Sequence, residues 1–239
     1  MGNITGIIDG IDNQDETADE VIKQLTMLRA YAVEKAKNAT TQIEESIRLS
    51  GDDERKRVPV DVIIRSKSEE HVFHSESSNI GTAVRKSISN FMGIADDGDT
   101  FVNGISGLVD GALDTMLGAG HGMSSEMRDY FIVPTEYGMT RYDTYLYTYG
   151  VNTSALTQVC QSVVVGVMFE SIVDLSKISF PTFMQIYKLQ LVKMGVSVQD
   201  QKPLLDLAEN TFLRIVPKEK IRPSAESVIS ILPASKFVK

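Results

Sequence analysis

Apolar residues recur every three or four positions near the start of the chain, and this spacing predicts a long amphipathic helix. The stripe begins near Asp15 and reaches Ile47, with Lys and Glu residues on the opposite face. Gly51 marks its end. The pattern allows one helix, or two helices broken near Asn38. Residues 1–14 are rich in Gly, Asn and Asp, and we expect a flexible segment there.

The next stretch changes to a β-type composition. Residues 58–64 and 71–74 are rich in β-branched and aromatic side chains, so they are predicted to pair as two strands. Residues 66–70 would form the turn between them. A short amphipathic helix is predicted over residues 79–93.

The most regular pattern lies in residues 100–118, where apolar residues fill one complete helical face. These residues are Ile105, Leu108, Val109, Ala112, Leu113, Met116 and Leu117. The opposite face is small or acidic and includes Gly104, Gly107 and Gly111. Each Gly costs a helix about 1 kcal/mol relative to Ala. Three of them therefore indicate that a neighbour packs very close or that the helix is later released.

Alternating side chains predict an antiparallel hairpin over residues 130–149. Its strands are residues 130–133 and 141–149, and they are joined around Tyr137 and Gly138. A flexible loop at residues 118–125 precedes the hairpin. One face of the second strand is aromatic and the other is mixed: Tyr145, Tyr147 and Tyr149 alternate with Thr144, Leu146 and Thr148.

In the last third of the chain, the pattern does not decide between strand and helix for two segments. Residues 159–175 suit a strand buried on both faces, with a helix left open, and residues 183–194 fit a strand or a helix. Pro203 would open a short helix, and residues 228–232 would form a last strand. The whole pattern predicts one α/β or α+β domain over residues 15–239, with a mainly antiparallel sheet flanked by amphipathic helices.

Charge and composition exclude some classes of protein. The net charge of −8 argues against nucleic-acid binding, because phosphate contacts need clustered Lys and Arg. No run of 18 apolar residues is present, so no transmembrane helix is expected. The first residues lack the basic and apolar segments of a secretory signal peptide. We expect a cytoplasmic protein, or one that is released by a non-classical route.

Metal and nucleophile motifs are weak throughout. His71 and His74 are three positions apart. Two metal ligands on one strand usually lie two positions apart, and a pair on a helix would need a third ligand, so no metal site is predicted. Ser106 and Ser124 lie near glycines, but neither fits the Gly-x-Ser-x-Gly pattern and no partner histidine and acid can be assigned. We expect no enzymatic activity, and a serine hydrolase stays open as an alternative.

Cys160 is the only cysteine, so the chain cannot form an internal disulfide. A lone cysteine in an apolar run usually behaves as a small buried hydrophobe. The alternative is a site for covalent lipid attachment or oxidation, although no neighbouring positive charge activates the thiol.

The order of elements in the middle of the chain resembles the cytolytic Cyt δ-endotoxin fold, which the fungal volvatoxin and the Erwinia virulence factor share. Two strand-like pieces, two amphipathic helices and an aromatic hairpin precede Val159-Cys-Gln-Ser-Val-Val-Val-Gly166, which is similar to the Cys-Val-Pro-Val-Gly strand of Cyt toxins. The resemblance covers about half the chain. Two features depart from it: no strand is predicted before Val21, and residues 183–194 are not clearly a long strand.

The resemblance implies a sheet wrapped by helical layers, and a form that binds lipid when helices move aside to expose strands. It also implies a fatty acyl group on a cysteine, for which Cys160 is the only candidate. We therefore predict a membrane-interacting protein of the pore-forming or virulence type, able to form homo-oligomers, with residues 105–117 contacting lipid. A non-enzymatic structural or partner-binding protein of a bacterial or viral assembly is the second possibility.

Overall fold

The computed structural model describes residues 18–51, 58–73, 80–92, 100–117, 123–135, 137–151, 160 and 162–216. The N-terminal segment and the strand predicted at residues 228–232 lie outside these ranges, and the side chains of residues 100–103 are not among the described ones.

The long amphipathic pattern forms one helix, α1, from Ala18 to Arg48. It is not broken near Asn38, whose side-chain Nδ2 donates to Glu34 Oε1 one turn earlier at 3.4 Å. The turn after the helix needs Gly51, because its φ is +98° and a Cβ would lie 3.0 Å from the Pro59 Cβ.

Four antiparallel strands form one sheet, in the order β1-β4-β3-β2. The strands are β1 (Val60–Phe73), β2 (Ser124–Pro134), β3 (Met139–Gly150) and β4 (Ser162–Val173). The central strands β3 and β4 are covered on both faces, which explains why the apolar run predicted near residues 159–175 is nearly unbroken.

The prediction of two strands and a turn between residues 58 and 74 was wrong. A single strand, β1, pairs with β4 from Val60 opposite Val173 to Phe73 opposite Ser162, and residues 66–70 lie within it. The polar run looked like a turn because most of β1 is exposed at the sheet edge. Polar side chains cost little there, since they remain in water.

The tyrosine-rich hairpin is confirmed, with Ser124 and Ser125 already part of β2 rather than of the preceding loop. Tyr145, Tyr147 and Tyr149 face one side of the sheet, and Leu146 faces the other, as the alternation predicted.

Five helices and one short turn of 3-10 helix accompany the sheet in the described ranges. After α1 come α2 (Ile80–Met92), α3 (Thr100–Leu117), the 3-10 turn (Leu175–Lys177), α4 (Phe180–Lys193) and α5 (Val198–Ile215). The ambiguous residues 183–194 are thus helical, and the helices predicted at 79–93 and 100–118 are confirmed.

The start of α5 was predicted wrongly. The helix begins at Val198 and Pro203 lies inside it. Ser197 caps the helix, because its Oγ accepts a hydrogen bond from the backbone N–H of Asp200 at 3.2 Å and donates to the Asp200 carboxylate at 2.6 Å. This Ser-x-x-Asp arrangement acts like a capping box and was the better signal.

Helices cover both faces of the sheet. Helix α1 packs on β1 and β4 over the tyrosine face, whereas α3 packs on β2 and β3, and α2 on β4, over the opposite face. Helices α4 and α5 pack together and against β2. The fold is therefore an α+β arrangement with an antiparallel sheet between helical layers, as predicted.

Candidate functional site

Helix α3 buries the apolar face that the sequence predicted as a lipid-contacting surface. Ile105, Val109 and Leu113 are at most 1% exposed, and Met116 is 8% exposed. Leu108 and Ala112 are partly buried against the same core, whereas the side chain of Leu117 lies outside the described ones. In this conformation, the six described side chains contact protein.

The glycines of α3 divide into two kinds. A Cβ on Gly104 would lie 3.1 Å from the Met194 Cβ, so close packing accounts for this glycine. A Cβ on Gly107 or Gly111 would meet no atom of the described residues within 4 Å, and neither glycine has a positive φ. Close packing and backbone conformation therefore do not explain these two exposed glycines.

The sheet beneath α2 and α3 carries a strongly apolar surface. Phe131, Leu146, Val164 and Met168 are each at most 4% exposed and belong to the same core as the α3 face. If α2 and α3 moved away, this surface would lose its cover.

Helix α1 is joined to the opposite face of the sheet by polar as well as apolar contacts. The Tyr31 and Tyr147 hydroxyl groups lie 2.7 Å apart, and their rings meet edge to face with centroids 5.9 Å apart. Burial raises the pKa of Tyr147 far above its ordinary value, so its hydroxyl stays protonated as a hydrogen-bonding group. The Lys35 ammonium lies 4.5 Å from the Tyr147 ring centroid.

A cavity of about 640 Å³ lies between the C-terminal half of α1 and the β2–β3 hairpin. This volume falls in the range of small-molecule sites. Its polar lining includes Gln42, Ser46, Arg128, Tyr130, Arg141 and Asp143.

Arg141 is the most deeply buried charge of the cavity, at 1% exposure. One of its terminal nitrogens donates to the Val58 carbonyl at 2.8 Å and the other to Asp143 Oδ1 at 2.5 Å. The Tyr130 ring centroid lies 4.3 Å from its guanidinium carbon. Its third donor, Nε, is buried and has no hydrogen-bond partner among the described residues.

The mouth of the cavity holds a second guanidinium. Arg128 is exposed, donates a hydrogen bond to the Gln42 side chain and lies 5.2 Å from the Tyr145 ring centroid. Asp129, which also lines the cavity, is paired with Lys193 of α4.

Cys160 lies just before β4 rather than inside the strand, and its side chain is wholly buried under α1. Burial raises the pKa of the Cys160 thiol to about 11. A thiol in this environment is neutral near pH 7 and shielded from reagents, as predicted for a small buried hydrophobe.

Sequence reasoning missed the cavity. The signal was available, because Arg141 and Asp143 stand two positions apart in a strand of otherwise apolar, aromatic and hydroxyl residues. Of the serines that were considered as nucleophiles, Ser124 is exposed at the start of β2, and the Ser106 side chain lies outside the described ones.

The described part of the chain contains neither a cluster of metal ligands nor a membrane-spanning helix. No group of three or more His, Cys, Asp or Glu side chains there could hold a metal ion. No helix in the same ranges combines the length and apolar character needed to span a bilayer. Comparison of the chain with protein-family models, with characterised proteins and with solved structures found no match.

Proposed function

We propose that this chain is a membrane-interacting protein in which α3 unfolds locally, leaves the protein core and re-forms as a helix with its apolar face in lipid. The observation that carries the proposal is the open space around Gly107 and Gly111. These two glycines destabilise α3 by about 2 kcal/mol relative to alanine, and no close contact or special backbone conformation requires them.

The energetics of the apolar face support such a transfer. A fully buried aliphatic side chain is stabilised by about 1.5–3 kcal/mol relative to water. Lipid tails are as apolar as leucine, so a bilayer offers Ile105, Val109 and Leu113 an equivalent environment. The apolar surface of the sheet, including Leu146 and Met168, would become available to lipid in the same step.

The charge of the chain indicates how the membrane would be recognised. With a net charge of −8, the chain is not attracted to anionic headgroups as a whole. Binding would depend on apolar burial, so neutral vesicles should serve at least as well as anionic ones.

Dye release from liposomes tests this proposal. The wild-type chain is compared with Gly107→Ala/Gly111→Ala, which strengthens α3, and with Thr41→Ala/Asn210→Ala, which changes exposed positions of α1 and α5. We expect leakage by the wild type and by the control pair. The α3 variant should leak about 30-fold more slowly, because 2 kcal/mol lowers the population of an opened state by this factor.

Two results would count against the proposal. Vesicles of neutral and anionic lipid that stay intact at micromolar wild-type protein would remove the membrane function. Equal leakage by the wild type and by the α3 variant would show that unfolding of α3 is not a step in membrane attack.

A further inference from the structure

The cavity between α1 and the β2–β3 hairpin is separate from the α3 surface and has no part in the proposed membrane step. We propose that this cavity binds a small ligand through a singly charged oxyanion, either a carboxylate or a phosphodiester. The contacts of Arg141 carry the proposal.

Arg141 is held ready to donate a hydrogen bond. Val58 and Asp143 bind its two terminal nitrogens, and the ring of Tyr130 lies against its guanidinium. Its Nε is buried and lacks a hydrogen-bond partner within the described part of the chain. Leaving a buried donor unpaired is costly, so a ligand whose acceptor atom displaces the side chains that cover Nε gains a bond to a guanidinium whose other contacts are already fixed.

The lining around Arg141 is suited to an oxygen-rich ligand. Gln42 and Ser46 of α1 can donate hydrogen bonds, and Arg128 supplies a guanidinium at the mouth. Guanidinium groups match the two oxygens of a carboxylate or a phosphodiester.

The charges of the lining set the charge of the ligand. Asp143 already pairs with Arg141, and Asp129 pairs with Lys193. The mouth then holds one guanidinium, Arg128, and one exposed carboxylate, Glu45 of α1, so the charged side chains of the lining carry no excess of positive charge. Each additional negative charge on a ligand would therefore meet more repulsion than attraction, so a singly charged oxyanion should bind better than a dianion or a polyphosphate.

Isothermal titration calorimetry tests the proposal with acetate, dimethyl phosphate and dihexanoyl phosphatidylcholine, and with sulfate as a dianion. We expect millimolar dissociation constants, because ligands of a few atoms rarely bind more tightly. Sulfate should bind more weakly than the singly charged probes. If acetate and dimethyl phosphate bind and the phosphatidylcholine does not, the natural ligand is a free oxyanion. If the phosphatidylcholine binds more tightly than the other two, the natural ligand is a lipid headgroup.

Variants locate the binding. Ser46→Leu fills the cavity from α1, and Thr41→Leu adds the same bulk at an exposed position of α1 outside the lining. Ser46→Leu and Arg128→Gln should each weaken binding about tenfold or more, whereas Thr41→Leu should bind as the wild type does. These variants leave the buried Arg141 in place, so they do not depend on whether the fold tolerates its loss.

Two outcomes would overturn the inference. Either the wild type binds none of the singly charged probes at millimolar concentration, or binding is unchanged in Ser46→Leu. Because the assay contains no vesicles, its result is independent of whether the chain permeabilises membranes.

Discussion

The two exposed glycines of α3 give a quantitative prediction for the stability of the fold. A Cβ at position 107 or 111 enters open space, so alanine adds helix propensity without a steric cost. Each substitution should raise the free energy of unfolding by about 1 kcal/mol, and the pair by about 2 kcal/mol. With a urea m-value of about 2–3 kcal/mol/M, the midpoint of Gly107→Ala/Gly111→Ala should rise by about 0.7–1 M.

Gly104→Ala is the matched control within the same helix. Its Cβ would approach the Met194 Cβ to 3.1 Å, so crowding should cancel most of the gain in propensity. Circular dichroism in urea measures the global effect, and hydrogen exchange of the α3 amides measures local opening, which should slow about 30-fold in the double variant.

A destabilised Gly107→Ala/Gly111→Ala variant would refute this reasoning, because it would mean that another surface covers the outer face of α3.

On the opposite, buried face of α3, a charge at Leu113 is a poor probe of membrane contact. Leu113 is fully buried, so Leu113→Asp should disrupt the fold before any membrane is met.

Three further predictions concern the face of the sheet under α1. Arg141→Leu should lower the free energy of unfolding by about 3–5 kcal/mol in urea, because it leaves Asp143 charged and buried, and Arg141→Leu/Asp143→Leu should lose less. Tyr31→Phe should lower the free energy of unfolding by about 0.5–1.5 kcal/mol in the same assay, because it breaks the hydrogen bond between the two hydroxyl groups. The double variant Tyr31→Phe/Tyr147→Phe should lose no more, since that bond is already broken. The Cys160 thiol should react with a thiol reagent only after denaturation. Because burial raises the pKa of Cys160 from 9.0 to about 11, the unfolded chain loses this proton first, and stability should fall above pH 9 by up to about 1.4 kcal/mol per pH unit. Cys160→Ala should remove this loss between pH 9 and 10. Above pH 10 the buried tyrosines, whose pKa values are also raised, lower the stability in the same way.

Local patterns in the sequence were sufficient for most elements. The period of apolar residues placed α1, α2 and α3, and strict alternation assigned the faces of β3, because an amphipathic element must bury one side. The wrong assignments arose where a local signal was misleading, as Pro203 was for the start of α5. Strand β1 was split in two because a polar run is typical of a turn, and the sequence does not show that the run lies at a sheet edge.

The candidate sites show the same division. The apolar face of α3 could be read from its spacing, but its contact with the sheet could not, because a buried face and a lipid-binding face have the same pattern. Arg141 and Asp143 were a sequence signal for buried charge in β3, but the cavity itself could not be located, since it joins α1 to β2 and β3 across about a hundred positions of the chain.

The sequence by itself determined the helical and extended segments, the acidic charge and the single neutral thiol, since these depend on composition and on neighbours along the chain. Only the tertiary structure decided which apolar face is covered, that no described residue lies over Gly107 and Gly111, and that Arg141 is buried with a donor for which the described residues supply no acceptor. These features arise from residues that are distant in sequence and adjacent in space, and their energies depend on packing and on the loss of water, which no local pattern records.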